Sequence, residues 1–360
     1  MADFDYGNAR LHAMKSRLIS RRTLEGLAEA GNIEGLIAAL TETAYRETVE
    51  AALVRLVGLD CLAEALRNDL VATVGKARRF FRDRAGELAA LVLRRYELHN
   101  VKTVLRGIAR QVPAGEILAS TLPVAELRPA DLSELARSPN FRAAIDLLAT
   151  WGVSLARPLL ELRTRRRGDG VEIPELELAL DRWHLHTAMQ IARQADEEGR
   201  TLLETLMLEA DSANIMIALR LVGVADAALT LRGHFGAEDI TALFVGPGYI
   251  QFALLAEAAR KLSVTEAVNV LAGTTYGTTL TNAMNAYAAT GHLSAFERAL
   301  GRRQVRHAAG LFTRDPLGIG VLIGYIALKT NEIANLRAIA QGLMLAEKPE
   351  RIRAELMFVD

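Results

Sequence analysis

Three acid-x-x-Asn elements recur along the chain: Glu97-Leu98-His99-Asn100, Asp211-Ser212-Ala213-Asn214 and Glu332-Ile333-Ala334-Asn335. At this i, i+3 spacing a carboxylate and a carboxamide lie on one face of a helix, so each element offers strong acceptors beside an amide that both donates and accepts. Six residues after each Asn stands a further polar group, Arg106, Arg220 or Gln341, nearly two turns on and on about the same face. Two chemistries suit such a set. One is a buried polar clasp that fixes the register of a helical bundle; the other is a contact surface presented to a partner three times around an axis. The clasp is the preferred reading, with Glu97, Asp211 and Glu332 satisfied by Arg106, Arg220 or other arginines.

Other candidate chemistry is weaker. His184 and His186 point about 200° apart on a helix, the wrong geometry for a shared metal, which i, i+4 would suit. Asp181 and His184 have the acid-histidine spacing of di-iron bundles, but those need two such motifs and two more carboxylates, so this pair reads as a solvated polar pair. Gly318-Ile319-Gly320-Val321-Leu322-Ile323-Gly324 has GxGxxxG spacing with no preceding strand, unlike a dinucleotide loop. Gly320 and Gly324, four apart, instead predict close approach of another helix. No GxSxG, HExxH or cysteine pair supplies a nucleophile or metal site. The expectation is a protein with no catalytic residue, cofactor, metal or small-molecule substrate.

The elements that must position these polar groups are themselves repeated. An Ala-Leu pair (Ala65-Leu66, Ala179-Leu180, Ala299-Leu300) precedes each Asn at a near-constant interval, from Leu66 to Asn100, Leu180 to Asn214 and Leu300 to Asn335. Flanking apolar positions agree: Leu88, Leu202 and Ile323, then Leu93, Met207 and Leu328. A looser front element reads Thr43-Ala44-Tyr45, Thr150-Trp151 and Thr275-Tyr276, and its distance from the Asn varies, being longest in the second copy. Ala, Leu, Glu and Arg dominate and period-2 alternation is scarce, which predicts an all-α chain. Leu88, Leu91, Val92, Leu98, Val101, Val104 and Leu105 recur at steps of three and four, the pattern of an amphipathic helix. Gly107 and Gly342 are expected to stop the last helices of the first and third copies, and Asp315-Pro316 to start a helix. Proline- and glycine-rich breaks at 111–129 and 233–248 mark junctions, giving helical domains 1–115, 116–240 and 241–360. Each is long enough for a core of its own, unlike the much shorter repeats of solenoids. The basic, glycine-rich stretch Arg163 to Gly170 is expected to be an insertion that lengthens the second copy's spacing.

Composition narrows the partners. The 360 residues carry no net charge, and the thirds divided at 115 and 235 carry about +4, −5 and +1, too little clustered basicity for a nucleic-acid footprint. The single Cys61 lies in an apolar run and excludes an internal disulfide, which fits a reducing cytoplasm. The first six residues include acids and do not read as a secretion signal. The most apolar run, Leu317 to Leu328, is too short to span a bilayer core that needs about 20 helical residues.

The stretches Tyr6-Gly7-Asn8-Ala9-Arg10-Leu11-His12-Ala13-Met14, Tyr96-Glu97-Leu98-His99-Asn100-Val101-Lys102 and Tyr325 to Arg337, with its Lys-x-x-Glu-Ile-x-Asn-Leu-Arg run, resemble the C-subunit family of V/A-type rotary ATPases, whose eukaryotic equivalent is the V-ATPase d subunit. The resemblance runs from the first helix to the last. It implies a funnel of three similar helical domains around a pseudo-threefold axis, which the triplication also suggests. It further implies a non-catalytic central-stalk subunit, cytoplasmic and peripheral to the membrane, that joins the central-shaft subunits to the proteolipid ring for ATP-linked proton or sodium transport. Two alternatives compete. A three-domain α-helical scaffold unrelated to rotary ATPases would have a soluble partner, and an all-α enzyme would need DDxxD or paired ExxH motifs, which do not occur.

Overall fold

The computed structural model describes residues 3–124, 126–165, 172–195, 197–224 and 239–359. Among them every regular element is helical, as the composition predicts. Helix α1 (Asp5–Lys15) is followed by short α2 (Arg21–Leu27), α3 (Ile33–Leu40) and α4 (Arg46–Leu53), then long α5 (Gly58–Arg78) and α6 (Asp83–Ala109), and short α7 (Ala114–Ala119). The second series is α8 (Pro129–Ala136), α9 (Phe141–Thr150), α10 (Ala156–Arg165), α11 (Ile173–Arg193) and α12 (Glu197–Leu221), ending in a 3₁₀ turn at Ile240–Leu243. The third is α13 (Phe252–Ala259), α14 (Val264–Leu271), α15 (Gly277–Thr290), α16 (Ser294–Arg314) and α17 (Gly320–Met344), followed by α18 (Pro349–Glu355). Three short helices and then two long ones therefore recur three times. The second short helix of each series starts on the same device: the side chain of Asn32, Asn140 or Ser263 accepts the N–H three residues on, at 2.8, 2.9 and 3.2 Å, an N-cap whose loss typically costs about 1 kcal/mol.

The chain forms two compact units. The first comprises 1–100, 118–132 and 308–360, the second 101–117 and 133–307. The first unit is built around α17, sixteen of whose twenty-five residues are buried; α1, α2, α3, α5 and α18 pack on it. The apolar run from Ile319 onward is thus covered by protein, whereas Leu317, in the turn before the helix, stays exposed. In the second unit α11 packs along α12, and α13 and α14 add to a core that includes Ile215, Leu219, Leu255, Tyr276 and Phe296. Cys61 is buried and free. No described helix is long and apolar enough to cross a membrane.

Three local expectations change. Gly107 and Gly342 do not stop their helices, which run on to Ala109 and Met344. Their missing side chains make room for Ile117 and Ile352, each ten residues on, which a Cβ would strike. The helices end instead on left-handed Gln111 (φ 56) and Ala346 (φ 52), where Val112 N–H and Glu347 N–H donate back to Gly107 O and Gly342 O at 2.9 Å, the Schellman pattern. Pro316 sits in the turn before α17, not in its first helical turn, and the N-cap residue is Ile319 rather than Asp315; the Asp315 carboxylate nonetheless reaches forward to accept Gly320 N–H at 2.9 Å. Of the two small residues expected to admit another helix, Gly324 does so: a Cβ there would meet Phe312 N at 2.8 Å and Ala308 O at 3.0 Å on α16. Gly320 instead faces the Asp315 side chain.

Candidate functional site

All six residues of the repeated acid-x-x-Asn elements are buried, and their side chains grip backbone beyond the helix that carries them. Asn100 donates to Leu122 O and accepts Leu122 N–H, both at 2.7 Å. Asn214 donates to Gly246 O and accepts Val245 N–H, both at 2.8 Å. Asn335 donates to Met357 O and accepts Met357 N–H, again both at 2.8 Å. Each Asn thus holds the stretch that follows its own copy's last long helix. A carboxamide suits this place because its separate nitrogen and oxygen satisfy a backbone acceptor and a backbone donor together.

The acids bind the approach to a first short helix. Glu97 accepts Glu126 N–H and Leu127 N–H at 3.1 and 3.2 Å, just before α8. Asp211 accepts Tyr249 N–H and Ile250 N–H at 2.9 and 3.1 Å, just before α13, and Gly248 lies so near that any side chain there would collide with the carboxylate. Glu332 accepts Ile19 N–H, just before α2. Leu127, Ile250 and Ile19 each stand two residues ahead of a first short helix. The order is cyclic: the first copy's acid grips the approach to the second copy, the second grips the third, and the third returns to the first.

The arginines expected to satisfy the acids do something else. Arg106 pairs with Glu177 of α11, which holds its guanidinium pKa above the ordinary value, and Arg220 pairs with Glu297 of α16 at 3.1 Å. Glu177 and Glu297 each stand two residues before the Ala of an Ala-Leu pair; that position in the first copy is Ala63. The series Arg106, Arg220, Gln341 therefore corresponds to Glu177, Glu297 and Ala63, and the third combination has no charges to pair. These bridges are partly exposed, 58% and 59% for Arg220 and Glu297, and contribute little compared with the buried clasps.

The front aromatics supply a second set of contacts. Tyr45 and Tyr276 immediately precede α4 and α15, are fully buried, and are set by Thr43 and Thr274, whose hydroxyls bond the carbonyls of Leu40 and Leu271 at 2.7 Å. Thr274, not Thr275, is thus the counterpart of Thr43. In the second copy the place before α10 belongs to Leu155, and Trp151 caps the end of α9 four residues earlier. Leu155 lies as far before Asn214 as Tyr276 lies before Asn335, so no insertion near Arg163 is needed to explain the spacing. Residues 166–170 of that stretch lie outside the described residues; Arg163 itself pairs with Asp146 at 2.6 Å.

Tyr45 donates to Glu332 at 2.7 Å. Lys329, only 4% exposed, bonds Glu332 at 2.8 Å and the Tyr45 hydroxyl at 2.9 Å, pairs with Asp69 at 2.7 Å and lies 4.2 Å from the Tyr45 ring centroid. Burial, then the Glu332 charge, push the Tyr45 hydroxyl far above the ordinary phenol range. At the second site Tyr276 faces Asp211, and Arg303 lies 4.7 Å from the tyrosine ring centroid. Burial and the Asp211 charge raise the Tyr276 pKa, while burial raises that of Asp211 against the pull of its two backbone donors. The cation thus comes from the acid's own helix at one site and from a different helix at the other. Glu97, without a tyrosine, is pushed up to about 6 by burial, opposed by the N–H groups of Leu127 and Glu126.

Asp181 does not pair with His184. It accepts from Lys102, burial raising its pKa and the lysine opposing, while His184 is buried and His186 exposed. Among the described residues no group of three or more His, Cys, Asp or Glu side chains is placed to hold a metal. A groove of about 520 Å³ in the second unit is floored by Leu178, Met216, Ile217 and Leu300 and edged by the Arg220–Glu297 pair. The groups brought together here are hydrogen-bonded or paired to hold backbone, and their geometry is that of joints.

Comparisons with known proteins agree with the sequence resemblance. The pattern of the ATP synthase (C/AC39) subunit family matches residues 7–355. The C subunit of the A-type ATP synthase of Methanocaldococcus jannaschii is 26% identical over 358 residues, covering 99% of this chain and 87% of its own. Its namesakes in Methanosarcina barkeri and Haloferax volcanii are 26% and 27% identical, with 99% of this chain and 94% and 97% of theirs covered. A match that runs through all three acid-x-x-Asn clasps and nearly the full length of the helical series places the chain in the ATP synthase (C/AC39) subunit family.

Proposed function

We propose that this chain is the non-catalytic coupling component of a V/A-type rotary ATPase or ATP synthase, joining the central shaft to the proteolipid ring of the membrane sector. It would act at the cytoplasmic face, bound to the membrane sector without spanning it. Its three repeats, 1–115, 116–240 and 241–360, would stand around a pseudo-threefold axis. The observation that carries this reading is the cyclic order of the clasps, in which Glu97, Asp211 and Glu332 each hold the approach to the next repeat. A coupler that passes torque must not shear at its joints. Buried hydrogen bonds to backbone resist shear because sliding leaves both partners unsatisfied, at a cost of about 1–3 kcal/mol for each stranded group.

In this role Glu97, Asn100, Asp211, Asn214, Glu332 and Asn335 set register, and Arg106 and Arg220 add partly exposed pairs between neighbouring long helices. The partners would be the shaft subunits on one side and the ring on the other. The test is reconstitution: purified protein should bind both a shaft subcomplex and isolated proteolipid rings. Binding to neither would remove the coupling role.

A further inference from the structure

The turn between the two long helices of the first copy reads Lys76-Ala77-Arg78-Arg79-Phe80-Phe81-Arg82-Asp83-Arg84, five cations against one acid. The matching turns of the other copies carry two cations and three acids at 192–200, and one of each at 313–321. The repeated architecture therefore does not demand this charge. Local helix electrostatics explain only part of it. Lys76 and Arg78 sit in the last turn of α5, where cations are favoured, but Arg82 and Arg84 flank the start of α6, where a cation opposes the helix dipole by about 0.3–1 kcal/mol. Arg84 is offset by Glu87 at 2.7 Å. Lys76, Arg79 and Arg82 are exposed and form no ion pair among the described residues.

A second feature fixes this charge beside aromatic surface. Helix α1 is pinned to the turn by Phe4 against Phe81, ring centroids 5.6 Å apart, and by Gly7, where any side chain would collide with Phe81. That docking sets Tyr6 and Arg10, one helical turn apart, over Phe80: Tyr6 meets the ring edge-on at 6.1 Å and the Arg10 guanidinium lies 5.6 Å from its centroid. Tyr6 is nonetheless 65% exposed. Tyrosine and arginine held rigid and exposed are the residue types that dominate protein interfaces, and rigidity lowers the ordering cost of binding.

We propose that Tyr6, Arg10, Lys76, Phe80, Arg79 and Arg82 form a docking surface for an acidic segment of a partner protein. Three arginines to one lysine favour carboxylates, because the guanidinium fork makes paired hydrogen bonds that an ammonium does not. Of the six side chains only Phe80 is an anchor of the kind that seats a surface helix in a bilayer, and it is half-buried beneath Tyr6 and Arg10. This site is independent of the coupling role and stands or falls separately from it.

The test places a photo-crosslinking benzoyl-phenylalanine at Tyr6 of the full-length chain in its source complex and sequences the adduct by mass spectrometry. The expected product is a protein segment with three or more acids within about eight residues. Its yield should fall about tenfold in Arg79→Glu/Arg82→Glu and in the milder Arg79→Gln/Arg82→Gln, while an adduct from the same probe at exposed Leu262 stays unchanged. A lipid or nucleic-acid adduct, a neutral protein segment, no adduct, or a yield indifferent to both double variants overturns the proposal.

Discussion

Replacing Lys329 by Met tests the closing joint most severely. The ammonium is buried, 2.7 Å from Asp69 and 2.8 Å from Glu332, so the variant leaves two carboxylates facing one another without a cation. Removing one partner of a buried pair costs about 3–5 kcal/mol. The lower half of that range applies here, because Asp69 is 14% exposed and keeps some solvent, and Glu332 keeps the Tyr45 hydroxyl and Ile19 N–H. For a unit of this size, about 3–4 kcal/mol lowers the melting temperature on the order of 10 °C. Adding Asp69→Asn should restore roughly half of the loss, since it removes one stranded charge and leaves Glu332 its two hydrogen bonds. The assay is thermal melting followed by far-UV circular dichroism for wild type, both single variants and the double. A loss below about 2 °C for Lys329→Met, or a double variant less stable than Lys329→Met alone, would refute the claim that this network holds the joint.

Three further outcomes follow from the same geometry. Asn214→Ala strands Val245 N–H and Gly246 O and should cost about 2–4 kcal/mol in denaturant unfolding, whereas Arg220→Ala, removing an exposed pair, should cost under about 1 kcal/mol. Glu97, raised from its usual 4.5 to about 6, is protonated more readily folded than unfolded, so its favourable contribution is complete below pH 4.5 and is lost as pH rises through 6. Stability should fall by about 2 kcal/mol across that window from this group, and the step should vanish in Glu97→Gln, as pH-dependent urea titrations would reveal. Gly107→Ala drives a methyl into Ile117 and should cost about 1–3 kcal/mol; combining it with Ile117→Val should return part of that loss.

The helices and the clasp residues are legible in the sequence because both depend on local spacing: apolar residues at three and four, acid and Asn at i, i+3. Their partners are not. Leu122, Val245 and Met357 offer backbone groups to Asn100, Asn214 and Asn335, and a backbone amide leaves no mark in residue identity, so charge alone points the acids to Arg106 and Arg220. Trp151 matches Tyr45 as an aromatic after a Thr, but the shared place is defined by the start of the next helix, which gives it to Leu155. Gly107 and Gly342 carry the usual signal of a helix stop, yet what they permit is the approach of Ile117 and Ile352 from beyond the turn. The Lys329–Asp69 pair joins the third copy to the first, and nothing in either local sequence announces it.

The coupling role is tested most directly by imaging the complex that co-purifies with a tagged copy of this chain by electron cryo-microscopy. A shaft-to-ring coupler should appear as a single copy on the rotation axis, touching the foot of the shaft on one side and the proteolipid ring on the other. A copy bound to the stator, or one touching only the shaft or only the ring, would contradict the coupling role.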